Sequence, residues 1–178
     1  MYAFLTQTLA FRESGTYALK IVLGSFLIAV AAQICIPAYP VPMTLHVSAI
    51  LFLALISSPS VAMGAVMLYL FEGAIGLPVF AGFSGGLVKF VGPTAGYLMG
   101  FVIATYIVST LKSKVSGFFG HYLIAALGGA SILLCGTAYL STLMGVQAAV
   151  ISGLVPFALK MLVEAGIAVV SARVLKKI

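Results

Sequence analysis

The sequence predicts an all-α integral membrane protein of about six transmembrane helices, with a glycine-rich outer loop between the third and the fourth. Three observations carry that expectation. Hydrophobic residues make up 63% of the 178 positions and charged residues 7%, against about a quarter charged in an average soluble domain, and mean hydropathy is +1.26. The apolar residues fall into long stretches separated by short breaks rich in proline, serine or lysine. One interruption, 69–101, is of a different kind. It holds Gly73, Gly76, Gly82, Gly85, Gly86, Gly92, Gly96 and Gly100 with Pro78 and Pro93, which break regular structure, yet Leu77, Val79, Phe80, Phe83, Leu87, Val88 and Phe90 between them are not residues of a solvated linker. Irregular backbone is tolerated at membrane depth only where protein buries it or it lines a cavity. The stretch therefore reads as a binding lid or cavity wall, or else as a compact re-entrant connection.

The spans follow in order. Residues 1–14 include Phe4, Leu5, Leu9 and Phe11 but no basic residue before Arg12, whereas a cleaved signal peptide carries its positive charge first. Residues 1–16 are expected to form an interfacial N-terminal segment of a single membrane-embedded domain covering 1–178. A first span is expected over 17–36. On it Ser25 and Ala29 stand one helical turn apart among Gly24, Ala31 and Ala32, a small-residue face that suits close approach of another helix, either a partner's or one of the same bundle. Pro37, Pro40 and Pro42 end it in a stiff loop. Spans over 43–57 and 59–75 are short for a hydrocarbon core of about 30 Å, which suggests neighbours or a water-accessible cavity beside them. Further spans are expected over 94–111, 121–143 and 147–174, with Pro93 suited to a helix start.

Charge gives an orientation. Nine basic residues face three acidic ones. Arg12, Lys20, Lys112, Lys114, Arg173, Lys176 and Lys177 fall on one side of the alternating spans and Lys89 on the other, so the positive-inside rule places both termini in the cytoplasm, across a plasma (inner) membrane. The basic residues sit at helix ends, which excludes a nucleic-acid surface. Cys35 and Cys135 lie in apolar segments without a CxxC partner and read as small buried hydrophobes, so no metal or disulfide is expected. No Walker-type G-x-x-x-x-G-K-[ST], no H-E-x-x-H and no nucleophile elbow occurs, so the chain is read as not an enzyme and without cofactor.

Three ionisable groups remain inside or at the rim of spans: Glu72, Lys160 and Glu164. Each is costly there, by about 2.5–3.5 kcal/mol on insertion scales, and so has a partner or a function. Lys160 and Glu164 stand at i and i+4, where helix side chains meet; Glu72 has no neighbour of opposite sign in sequence, and Lys89 or Lys160 are its expected partners.

The runs GAIGLPVFAGFSGG (73–86), GPTAGYLMGF (92–101) and YPVPMTLH (39–46) resemble the signature elements of the BioY family, biotin-binding S components of energy-coupling factor (ECF) vitamin transporters. The resemblance implies a substrate-capturing membrane protein that binds biotin from the outer face and is energised by a T component in the membrane and two cytoplasmic ATPases, with lipid around it. It also directs attention to Thr44, His46, Glu72, Phe80, Phe83, Ser84, Gly85, Lys89, Tyr97, Lys160 and Glu164 as substrate-binding candidates, and to Ser25 and Ala29 as docking residues. Phe80 and Phe83 would cover a thioether ring, Lys160 would anchor the carboxylate, and Thr44, His46 and Ser84 would bond the polar head. Two positions depart from the family pattern. A D-x-x-K element aligned on Lys160 places Phe157 at the Asp, leaving Glu164 or Glu72 to supply a carboxylate, and His46 replaces the usual Gln. Two other classes stay open at this point: a stand-alone secondary carrier for a small organic solute, and a membrane enzyme of unfamiliar chemistry.

Overall fold

The computed structural model describes residues 2–176, with side chains described for 15–175. The N-terminal helix is continuous from Tyr2 to Gln33 (α1); the expected interfacial placement of 1–16 and the side chains of Arg12, Lys176 and Lys177 lie outside the described residues.

Six apolar spans run up and down. After α1, β1 (Cys35–Ile36) pairs antiparallel with β2 (Met43–Thr44), and the Leu45 N–H donates to the Ile34 carbonyl at 3.1 Å. These bonds fold the proline loop back on itself and end the first span at Gln33, earlier than expected. Then come α2 (His46–Ile56) and α3 (Pro59–Ala74). Ser58 caps α3 by accepting the Val61 N–H, and Pro59, which lacks an N–H to satisfy, fills its first turn. The glycine-rich stretch carries one 3-10 turn, Leu87–Phe90, before α4 (Ala95–Leu111). α5 (Gly117–Met144) follows and stops at Gly145, whose φ of 85° suits glycine. The last span opens with α6 (Val146–Ala149), passes through a π turn (Val150–Leu154) and continues as α7 (Val155–Lys176). Residues 15–33, 95–114, 117–144 and 146–175 form helices long and apolar enough to cross a membrane, and α2 and α3 are shorter apolar helices between them. The chain is a multi-pass membrane protein.

At one end of the bundle lie the proline loop, the glycine-rich loop and Gly145; at the other lie the 57–58 turn and the 112–116 connection. At this second end the Lys112 ammonium donates to the Ala54 carbonyl at 2.9 Å and to the Ser57 carbonyl, a cation placed on the negative end of α2.

The tightest contact joins α4 to α5. Gly96, Gly100 and Ala104 recur every fourth residue, and a Cβ on Gly100 would stand 2.7 Å from the Ile132 Cα, backbone against backbone. Opposite them, a Cβ on Gly136 would run into the Tyr97 ring. This is small-xxx-small packing, on a helix pair other than the one that the Ser25 and Ala29 spacing pointed to.

The Ser25 expectation is corrected. Ser25 is fully buried and donates to Glu72 Oε2 at 2.5 Å, and a Cβ on its neighbour Gly24 would meet the Ala65 Cβ of α3 at 2.7 Å. The small face of α1 thus packs inside the bundle, with Ala29 half-buried beside it. Over 22–30 the side chains that α1 exposes are large and apolar: Val22, Leu23, Phe26, Leu27 and Val30. Ser25→Leu is expected to lower thermal stability in detergent by about 1–3 kcal/mol through overpacking. Leu23→Ala on the exposed face is expected to change it by less than about 0.5 kcal/mol. Equal stability for the two variants would return Ser25 to an external surface.

Candidate functional site

A cavity of about 300 Å³ opens between the two loops at the first end of the bundle. Among the described residues, its walls come from every span except α1. Tyr69 from α3, Leu98 and Phe101 from α4, Ile132 and Leu133 from α5, and Phe157 and Met161 from α7 give it apolar sides, while Pro40, Val41, Phe80, Ala81 and Val88 close it from the loops. Short α2 contributes its first turn, which brings polar groups to the cavity.

The polar groups form one connected cluster. Lys160 Nζ donates to the Thr44 carbonyl at 2.7 Å and pairs with Glu164 Oε2 at 2.7 Å. The Thr44 hydroxyl shares a hydrogen bond with His46 Nδ1, and the His46 ring meets Phe101 edge to face at 4.7 Å. β2 fixes Thr44, and α2 begins two residues later, so the strand and helix start together set this geometry. An ammonium has three donors; two of Lys160's are engaged here. Glu164 is the mirror case: its side chain is 3% exposed, one oxygen is taken by Lys160, and Oε1 has no hydrogen-bond partner among the described residues. Ser48 of α2, whose hydroxyl and N–H face this carboxylate from outside the cavity lining, leaves its Oγ without a full hydrogen bond too. A buried polar atom left in this state costs free energy unless something bonds it. The cavity therefore presents one open ammonium hydrogen, that of Lys160, with the Glu164 carboxylate behind it.

Lys89, from the 3-10 turn, lines the same cavity and makes no ion pair among the described residues. Its backbone carbonyl accepts from Thr94 Oγ1 at 3.2 Å. Tyr97 is held more firmly: its hydroxyl donates to the Gly153 carbonyl of the π turn at 2.8 Å, and its ring lies 6.1 Å from that of Phe157.

Of the residues singled out in the sequence, the structure brings Thr44, His46, Phe80, Ser84, Lys89, Tyr97, Lys160 and Glu164 to this cavity. It places three elsewhere. Glu72 turns to Ser25 between α3 and α1, not to Lys89 or Lys160, so of the two carboxylates Glu164 is the one that lines the cavity. Phe83 points outward, 73% exposed. Gly85 touches no cavity; a Cβ there would collide with the Leu77 carbonyl oxygen, so its role is backbone packing within the loop. Phe80 is the apolar anchor of that loop. Its ring is 5% exposed, meets Tyr69 at 5.4 Å and Phe90 at 5.9 Å, and fills the notch left by Gly73.

Sequence reasoning missed Gln33. Its amide carbonyl accepts the Phe83 N–H at 2.9 Å, and its Nε2 reaches the Val79 and Phe80 carbonyls at 3.2 and 3.3 Å. The only signal was a lone amide at the end of an apolar span.

The sequence model of the BioY family matches residues 7–178. Among curated proteins, this chain is 38% identical over 146 residues to one described as "Probable biotin transporter BioY" of Pyrococcus horikoshii, covering 82% of this chain and 87% of that one. It is 37% identical over 154 residues to "Biotin transporter BioY" of Thermotoga maritima, covering 85% and 90%. Among solved structures, the S-component for biotin from an ECF-type ABC transporter superposes with a TM-score of 0.83 at 25% identity, over 94% of each chain.

Proposed function

The chain belongs to the BioY family, and from that membership we propose that it captures biotin from the outer face of the plasma membrane as the substrate-binding S component of an importer. The observation that supports this most directly is the pairing, inside a cavity of about 300 Å³, of apolar walls with an incompletely used ammonium backed by a buried carboxylate. That volume lies at the small end of ligand pockets, which run from about 300 to 1,000 Å³.

Biotin offers a ureido head with two N–H donors and one carbonyl, a fused thioether ring and a carboxylate tail. The remaining Lys160 hydrogen donates to the ureido carbonyl, with Thr44, His46 and the Lys160-paired oxygen of Glu164 next to the ureido N–H groups. The ring packs among Tyr69, Phe80, Tyr97 and Phe101. The tail then goes to Lys89. Lys160 was the expected anion anchor, but its charge is already matched by Glu164, whereas Lys89 is the lining cation that lacks an ion pair among the described residues. Ser84, whose hydroxyl donates to the Ala81 carbonyl at 2.8 Å, orders the loop beside the tail.

The protein binds but does no chemistry, and it carries no ATPase motif. Work against a gradient therefore comes from an ECF module, a T component in the membrane and two cytoplasmic ATPases, docked on a chain whose two termini are cytoplasmic. The exposed apolar residues of α1 meet lipid or that T component.

Equilibrium dialysis of the purified protein against labelled biotin tests the reading. Lys89→Met is expected to weaken binding of biotin by about one to two orders of magnitude, the worth of one charge-assisted hydrogen bond. Binding of uncharged biotin amide is expected to be nearly unchanged. No retention of biotin by the wild-type protein overturns the function, and equal losses for both ligands overturn the assignment of the tail.

A further inference from the structure

The tip of the glycine-rich loop, 79–84, is fastened at two points. One is apolar: the Phe80 ring in the Gly73 notch. The other is polar and comes from α1. Among the described residues, every side-chain hydrogen bond that reaches this tip from outside the loop is made by Gln33, across 46 to 50 residues of sequence. Both halves of the amide are used, the carbonyl on the Phe83 N–H and the NH₂ on the Val79 and Phe80 carbonyls, while Nε2 also touches the Ala29 carbonyl at 3.1 Å in its own helix.

Phe83 itself sits at φ 53°, a left-handed conformation that bulky residues rarely adopt. Its side chain is in solvent or lipid and gains nothing there, so the bond from its N–H to Gln33 is what favours that conformation. The tip pairs with itself through Phe80 and Ser84, whose backbones exchange hydrogen bonds at 2.9 and 3.2 Å. With Phe80, Ala81 and Ser84 all lining the cavity, the tip is one wall of the site.

We infer that Gln33 is the clasp of this wall: a positioning residue on α1 that holds 79–84 closed and so sets how fast the cavity exchanges its solute. The inference rests on the reading of the cavity as a biotin site. It follows that a shift of α1 reaches the loop through this amide, although no described residue of α1 lines the cavity.

Two measurements on the purified wild-type and variant proteins in lipid nanodiscs test it. Hydrogen–deuterium exchange of the 79–84 peptide, without ligand, is expected to rise by about tenfold or more in Gln33→Met, which keeps the size and loses both hydrogen-bonding functions. The biotin dissociation and association rates are both expected to rise, leaving affinity nearly unchanged, with thermal stability near wild type. A merely structural role at the end of α1 would instead lower stability and raise exchange within α1. Unchanged loop exchange and an unchanged dissociation rate overturn the clasp. Should Gln33→Met not fold, Gln33→Glu, which keeps the acceptor for Phe83 and loses the donors, decides by the same two readouts. Should wild type fail to bind biotin, the function fails, and the exchange measurement alone still decides whether Gln33 holds the loop.

Discussion

Lys160→Met is expected to cost about 3–5 kcal/mol of stability, and Glu164→Gln added to the same chain is expected to return most of it. The reason lies in which group is left behind. Glu164 is buried to 3% side-chain exposure, with one oxygen at 2.7 Å from Lys160 Nζ and the other unbonded among the described residues. Removing the ammonium strands a carboxylate at membrane depth, where an unpaired charge is expensive. Removing both charges leaves a neutral amide that costs far less. Binding should not follow stability: the double variant folds but has lost the ammonium donor proposed for the ureido head and holds a neutral amide in place of the carboxylate acceptor, so its affinity for biotin should stay depressed by about one to two orders of magnitude. Thermal unfolding by circular dichroism, alongside equilibrium dialysis, separates the two effects. A double variant as unstable as Lys160→Met would show that packing of the lysine stem, not its charge, is what α7 requires.

Gly100→Leu is expected to be as severe by another route. A Cβ at this position meets the Ile132 Cα at 2.7 Å and the Ile132 carbonyl at 3.2 Å. A side chain could turn away; a backbone cannot, so the larger residue must separate α4 from α5. Overpacking of this kind costs about 1–3 kcal/mol where side chains yield, and the upper end is expected here. Phe101 and Ile132 both line the cavity, so the separation would also open its wall. Gly166 on α7 is the control. The nearest atom to a Cβ there is Tyr122 Cε2 at 3.8 Å, and Gly166→Ala should be neutral or stabilising by about 0.5–1 kcal/mol, the helical preference for alanine. Folded yield and melting temperature of the two variants check the contrast, and a tolerated Gly100→Leu would mean that the helices do not approach this closely.

The architecture could be read from the sequence because its signals are local. Apolar stretches, prolines and glycines mark where spans start and stop, so α3 and α4 were placed to within a residue. The lysine–glutamate pair was legible for the same reason, since four residues along a helix is a contact in sequence and space alike. What escaped were contacts between distant segments. Ser25 and Ala29 were recognised as a small-residue face, but periodicity does not say which helix fills it, and the answer, α3 with Glu72, lies 47 residues away. Gln33 gave no pattern at all, because its partners are backbone groups of a loop whose path is fixed only once Phe80 seats against Gly73. The ladder of Cys35–Ile36 with Met43–Thr44 was hidden by the prolines between, which read as a stiff loop rather than a hairpin.

The shortness of α2 has an electrical consequence. At a rise of about 1.5 Å per residue, its 11 residues span only about 16 Å of a hydrocarbon core near 30 Å. In the proposed orientation the loops and the cavity fill the remaining outer part, while the inner part is packed solid with Ala54, Ala125, Ala165, Ala168 and Ala172. A transmembrane voltage falls mainly across the dry, packed layer, so an anion settling beside Lys89 crosses little of the field and its capture is nearly indifferent to membrane potential. Delivery is different. Carrying a carboxylate across the inner layer of an inside-negative membrane opposes up to about 2.3 kcal/mol per 100 mV. Either the energising step supplies that work, or a lysine of the site crosses the field together with its anion.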